Sequence, residues 1–307
     1  MKKAFTLIEL LIVVAIIGVL SAIMLGVFSG GNEAARNARC VSNMRNLASA
    51  CQGYAANYGW YPTAGSVEKF RLDSSSGVRN LKEIYSEHPG WISWNSAGAY
   101  DNAPTRSCAS SGWQISTYDQ NEDARMYSLT NGVLWKFVSG NHETYLCPAH
   151  VNKMKKQPPN WSYVMNAYFG WTSRPGTESY DNNYKGNVEF GTLKRADKIL
   201  LFAEIPFAGI GVTANDTTSS GQACDCTLQY RGLSNVSSPE TIGFNHKVGK
   251  REYCANVVFA DGHIEQLIYP RSGMSESELQ ELTEWLCKGI DVGLNGDKYE
   301  KLIDDGK

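Results

Sequence analysis

Residues 5 to 28, FTLIELLIVVAIIGVLSAIMLGVF, form one apolar run broken by a single charge, Glu9. At about 1.5 Å of rise per residue, a helix of this length reaches roughly 36 Å, which predicts a segment able to cross a bilayer core with some tilt. A secretory signal peptide would end after about 7–15 apolar residues at a small-x-small site, and no such stop occurs here. An ordinary anchor leaves Glu9 unexplained, because a lone carboxylate inside a membrane-length helix is costly to bury.

The pattern then changes to one apolar face. Gly30-Gly31 loosens the helix, and from Asn32 to Tyr58 the positions Val41, Met44, Leu47, Cys51, Tyr54 and Tyr58 recur at spacings of three and four. Arg36, Arg39, Asn43, Arg45 and Asn46 occupy the other sides. Gly59 and the following Trp60-Tyr61-Pro62 stop the helix. Residues 64 to 126 are irregular, with a short amphipathic helix predicted over Val78–Tyr85 and a loop carrying Trp91, Trp94, Tyr100 and Trp113. Those aromatics either cover a sheet edge or bind a partner. A turn at Asn131-Gly132, a short helix over Val133–Val138 and an extended Tyr145–Cys147 held by Pro148 follow. Lys198–Ile205, KILLFAEI, reads as a buried strand with Glu204 near its end, either a buried partner for another group or an edge-exposed acid. Asp261-Gly262, between NVVFA and HIEQL, predicts a hairpin with a type I′ turn. Ser275 with Glu278 makes a capping box for a helix with Leu279, Leu282 and Leu286 on one face and Gly289 as its stop.

Met1 to Ser29 resembles the type III signal of type IV pilins and type II secretion pseudopilins. The resemblance implies cleavage between Ala4 and Phe5 by a prepilin peptidase, N-methylation of Phe5, and an assembly role for Glu9 opposite a neighbour's N-terminal amine. Ala4 stands where the family usually has Gly. The helix exit GYAANYGWYPTAG is similar to that of many pseudopilins. MYSLTNGVLWKFVSGNHETYLCPAH with NWSYVMNAYFG resembles the middle of large prepilin-like proteins. GFNHKVGKREYCANVVFADGHIEQL resembles their processing-associated module, whose His, Asp-Gly and His fall here on His246, Asp261, Gly262 and His263. The module's usual spacing is shorter, which implies an insertion around Lys250 to Cys254. The implied fold is α+β: a long N-terminal helix, half transmembrane, packed on a mostly antiparallel pilin-like head. Its parts are a leader at 1–4, an assembly helix at 5–29, an amphipathic half at 30–59, and a head at 60–307. The head has a variable insertion at about 64–126 and a C-terminal helix at about 276–289.

Composition narrows the chemistry. A net charge of −2 over 307 residues gives no support for nucleic-acid binding. Eight cysteines behind an export signal read as disulfides, with Cys108, Cys147, Cys224, Cys226, Cys254 and Cys287 as candidates. Cys40 and Cys51 cannot pair, since eleven residues of helix hold them roughly 16 Å apart. Cys147 reads as a disulfide cysteine in preference to a reactive thiol. His246, Asp261 and His263 are metal-ligating types, but Asp-Gly has a sufficient role in the turn, so no metal is assigned. No Gly-x-Ser-x-Gly elbow nominates a serine nucleophile, and no catalytic residue is assigned. Asp119, Asn121 and Asp123 imitate an EF-hand loop that fails at Ala124 and Thr130, so calcium stays open with no residues assigned and no cofactor is expected.

The sequence therefore points to a non-enzymatic, minor or specialised subunit of a type IV pilus or type II secretion pseudopilus. Its expected partners are other pilin or pseudopilin subunits, the prepilin peptidase, the inner-membrane assembly platform and the lipid bilayer, with no nucleic acid. The expected location is the bacterial inner membrane, single-pass, with the N-terminus cytoplasmic by Lys2 and Lys3 and the head periplasmic, then the filament. The alternative is a membrane-tethered extracytoplasmic module that recognises a polysaccharide or protein through its aromatic loops.

Overall fold

In the computed structural model, one helix, α1 (Leu7–Tyr58), carries the N-terminal fifth of the chain. The structure describes residues 6–64, 66–68, 70–73, 77–80, 90–95, 129–130, 132–153, 159, 161–170, 188–207, 210–211, 227–231, 239–248 and 252–289. Thr6 caps the helix, and Gly59 ends it in the left-handed region at φ 83°, donating its N–H to the Ala55 carbonyl. Gly30-Gly31 does not interrupt it: the helix is continuous through both, because two glycines weaken a helix without forbidding it.

The two halves of α1 meet different surroundings. Leu7 to Leu20 is exposed on every side. Cys40, Met44, Leu47, Ala48, Cys51 and Ala55 are buried. Asn43 also faces inward, against the expectation from its polarity, and its amide donates to the Glu143 and Leu146 carbonyls at 2.8 Å each. Those two bonds satisfy the buried amide and tie the helix to the loop beneath it. Among the described residues no helix is long and apolar enough to cross a membrane. The apolar run of 5–28 extends past the described side chains at both ends.

Four short strands follow, β1 (Ser66–Glu68), β2 (Phe70–Asp73), β3 (Gly77–Asn80) and β4 (Ser93–Asn95). They form two small ladders, β1 parallel to β4 and β2 antiparallel to β3. The helix predicted over Val78–Tyr85 is corrected at its start: Val78–Asn80 belong to β3 and pair with Phe70–Leu72, and the remainder lies outside the described residues. Trp91 is fully buried against Phe202 and Tyr145, which settles its role as core cover. Tyr100 and Trp113 lie outside the described residues.

The main sheet is built from β5 (Tyr163–Asn166), β6 (Leu200–Glu204), β7 (Thr227–Leu228), β8 (His246–Val248), β9 (Glu252–Phe259) and β10 (Ile264–Ile268). Its order is β10-β9-β6-β5-β7, antiparallel except for β5 with β7, and β8 pairs with the start of β9. The architecture is thus α+β, a long helix on a mixed, mainly antiparallel sheet. Every position of β5 and β6 is buried, so both faces of the sheet centre are covered. Cover comes from α1 and from α3 (Glu276–Lys288), which packs on β6. Between them in the chain, the short helix α2 (Pro148–Lys153) starts at Pro148, where a missing N–H costs nothing. The reciprocal Ser275–Glu278 cap starts α3 and Gly289, at φ 57°, ends it. Leu279, Leu282 and Leu286 are its buried face. Asn166 sits where β6 meets the end of α3, donating to the Leu200 and Cys287 carbonyls at 2.8 Å.

Candidate functional site

The exposed end of α1 is the first candidate. Glu9 closes a capping box with Thr6: its Oε2 accepts from the Thr6 N–H at 2.8 Å and hydroxyl at 2.7 Å, while the Thr6 hydroxyl accepts from the Glu9 N–H. Glu9 therefore has a local partner, for which the Thr6-x-x-Glu9 spacing, a capping-box pattern, is the sequence signal. Both bonds fall on one oxygen, and a carboxylate has about four acceptor sites, so capacity remains for a charged donor. Ala4 and Phe5 lie outside the described residues.

The Asp-Gly hairpin is the second. β9 and β10 are joined through Ala260, Asp261 and Gly262, with the Phe259 N–H donating to the His263 carbonyl and the Gly262 N–H donating to the Phe259 carbonyl, both at 2.9 Å. Only Gly262 has positive φ, 93°, so the turn is not the type I′ expected. It is a three-residue loop whose last residue is left-handed, a geometry that asks for Gly at one position instead of two. Asp261 Oδ1 accepts from the His263 backbone at 3.0 Å and meets its ring Nδ1 at 2.5 Å, and that ring stacks on Phe259. The turn docks on α1: Gln52 donates to the Ala260 carbonyl at 3.0 Å, and so does the Tyr61 hydroxyl at 3.3 Å. Asp261, Gly262 and His263 thus build and seat a hairpin. His246 is elsewhere, at the start of β8, and the extra residues between it and Asp261 extend the sheet as the β8–β9 hairpin.

The third candidate is buried. Cys40 of α1, Cys147 before α2, Glu204 at the end of β6 and His246 of β8 bring one ligand atom each within 4.8 Å of all the others. Strand geometry makes this possible, since β6 and β8 run along the same edge of β9. His246 Nε2 lies 2.8 Å from Glu204 Oε1 and 3.6 Å from Cys147 Sγ. The Cys40 thiol donates to Glu204 Oε1, and the Tyr163 hydroxyl donates to Cys40 Sγ at 3.4 Å. Burial would lower His246, but the Glu204 charge and the bonds to Cys147 and Glu204 outweigh it and raise it to about 10. Burial would raise Glu204, yet the His246 charge and the hydrogen bonds around it bring it below its ordinary value. Burial lifts Cys40 well above the ordinary thiol value. Cys147 is lowered despite its burial, by the bond from Cys40 and by His246.

Cys147, Cys254 and Cys287 are free buried thiols, so the disulfides expected of them are not formed in this structure. Each points into the core on its own element: Cys147 into the cluster, Cys254 toward Asn37, and Cys287 at the end of α3. Burial pushes Cys254 up to about 12 and Cys287 well above the ordinary thiol value, which keeps both as protonated core residues. Cys108, Cys224 and Cys226 lie outside the described residues, as do Asp119, Asn121 and Asp123.

Of the cluster, sequence reading singled out Cys147, Glu204 and His246 separately and passed over Cys40. The imidazole that meets Cys147 is not that of nearby His150, which sits 3.0 Å from the Ser162 hydroxyl, but that of His246, 99 residues away. The cluster is not a nucleophile–base–orienter relay. In such a relay the imidazole uses opposite nitrogens, whereas here Nε2 meets both Cys147 and Glu204, and Nδ1 has no partner among the described residues. Cys40, Cys147, Glu204 and His246 are also fully buried, out of reach of a substrate.

Comparison with known proteins bears on the first candidate. Residues 1–25 match the model of the prokaryotic N-terminal methylation motif. No curated protein and no solved structure matches the chain. The chain carries a type IV pilin-like prepilin signal on an α+β body.

Proposed function

We propose that this is a prepilin-like structural subunit, cut between Ala4 and Phe5, methylated at Phe5, and assembled through α1 into a type IV pilus or type II secretion pseudopilus. The observation that carries the reading is the division of α1. Its Leu7–Leu20 half has no cover among the described residues, while its Cys40–Ala55 half is locked into the head. A contiguous exposed apolar surface of that size calls for a lipid or protein partner. The bilayer before assembly and neighbouring α1 helices afterwards supply both. Residues 5–29 hold the subunit in the inner membrane, with Lys2 and Lys3 on the cytoplasmic side and the head outside. Glu9 then pairs with the amine of Phe5 on a neighbour and fixes axial register. The large head suits a minor or specialised subunit, and Trp91, buried in the core, gives no support to an aromatic binding face.

N-terminal mass spectrometry of the protein recovered from membranes tests the processing step. The expected product begins with monomethylated Phe5. An intact Met1, or a start after residue 20, overturns the reading.

A further inference from the structure

We infer that Cys40, Cys147, Glu204 and His246 form a closed four-coordinate site for one zinc ion that rivets α1 to the sheet.

The donor set comes first. Two sulfurs, one imidazole and one carboxylate are a zinc set: thiolates select soft or borderline ions, and a mixed S/N/O tetrahedron suits zinc better than calcium or magnesium, which want oxygen alone. Geometry is second. With zinc–ligand bonds of about 2.0–2.3 Å, tetrahedral donors stand about 3.3–3.8 Å apart. The separation of 3.6 Å between Cys147 Sγ and His246 Nε2 is already such an edge. The 2.8 Å between His246 Nε2 and Glu204 Oε1 is a hydrogen bond that opens by about half an ångström when an ion takes the place of the proton. All four ligand atoms lie within 4.8 Å of one another, within reach of a single ion.

A further observation points to a ligand. Glu204 Oε2 and His246 Nδ1 are buried without a partner among the described residues. Leaving a buried polar atom unpaired is costly, the more so when it belongs to a charged group. A cation held at Oε1 attracts the second oxygen as well, which offsets that cost for Glu204. Charge also balances closely: two thiolates and a carboxylate against a divalent ion leave about one negative charge, and the Tyr163 hydroxyl already donates to Cys40 Sγ at 3.4 Å. Coordination displaces the proton of each thiol and the one that His246 Nε2 shares with Glu204.

The four ligands come from α1, the residue before α2, β6 and β8, so the ion's binding energy becomes stability of the helix on the head. No ligand position is open to solvent, and the site is structural.

The test is metal analysis of the full chain, purified in detergent without a metal-chelating tag. About one zinc per chain is expected. A C40S/C147S variant should lose it, and C254S, which removes a buried thiol outside the cluster, should keep it. Exchange of zinc for cobalt should give the visible bands of a tetrahedral ion and the near-ultraviolet charge-transfer intensity of two thiolates. Removing the ion should lower the unfolding temperature. The proposal is overturned if protein with reduced Cys40 and Cys147 fails to take up zinc, if C40S/C147S retains it, or if peptide mapping finds a Cys40–Cys147 disulfide. Should C40S/C147S not fold, the cobalt spectrum of the wild-type chain decides alone, and bands from one thiolate or none refute the site.

Discussion

Gly262 concentrates two demands in one residue. Its φ of 93° disfavours any side chain, and a Cβ there would stand 2.9 Å from Gln52 Nε2, the atom that holds the Ala260 carbonyl. Gly59 shares the first demand but not the second, since an added Cβ meets nothing within 4 Å. Gly59→Ala should therefore cost about 1–2 kcal/mol, the left-handed penalty alone. Gly262→Ala should cost roughly 0.5–1.5 kcal/mol more, because Gln52 must give up its bond. Denaturant unfolding of both variants checks this, and an equal or smaller loss at Gly262 contradicts the docking of the hairpin on α1. Asp-Gly announces a tight turn in the sequence, but the residue count of the turn depends on where Phe259 and His263 pair. The same limit hid the cysteine cluster. Cys40 and Glu204 are 164 residues apart, and Cys40 shares the inward stripe of Met44, Leu47 and Cys51, where a small apolar residue is expected. A buried acid at the end of KILLFAEI was the one local sign that something charged waited opposite.

At the scale of elements, α1 is two helices of different purpose in one continuous cylinder. Leu47→Ala empties a buried position and should destabilise the head by about 2–5 kcal/mol. Leu11→Ala, at an exposed position, should leave head stability within about 0.5 kcal/mol. Thermal unfolding in detergent compares them, and matching losses would mean that the apolar half packs on the head after all. Elements with strong local grammar were readable: α1 from its stripe to Gly59, α3 between its Ser275 cap and Gly289, and β6 from an unbroken apolar run. The elements that were misread are governed from a distance. Val78–Asn80 is a strand because Phe70–Leu72 pairs with it, and Asn43 faces inward because the Glu143 and Leu146 carbonyls wait there.

The whole molecule combines a head that is self-sufficient in its core with an apolar rod that is not. Among the described residues, the head's hydrogen bonds and apolar contacts reach α1 in its second half, which leaves the exposed Leu7–Leu20 stretch for the lipid and subunit contacts of the proposed assembly. Glu9 is where these two uses of α1 diverge. Its capping box with Thr6 stabilises the helix start in any setting, whereas a charge pair with a neighbour's amine exists only in a filament. The two roles are separable by chemistry, because glutamine serves in a capping box as glutamate does but carries no charge.

The decisive measurement is recovery of Glu9→Gln in sheared filaments, relative to its amount in the membrane, beside wild type and Glu9→Val. Membrane levels should hold for both variants, since neither adds a charge to the apolar segment. Filament recovery should fall sharply for both, by a factor consistent with the few kcal/mol lost when a charge is left unpaired in a dry setting. Wild-type recovery of Glu9→Gln would show that Glu9 is only a helix cap, and the assembly role assigned to it would be wrong.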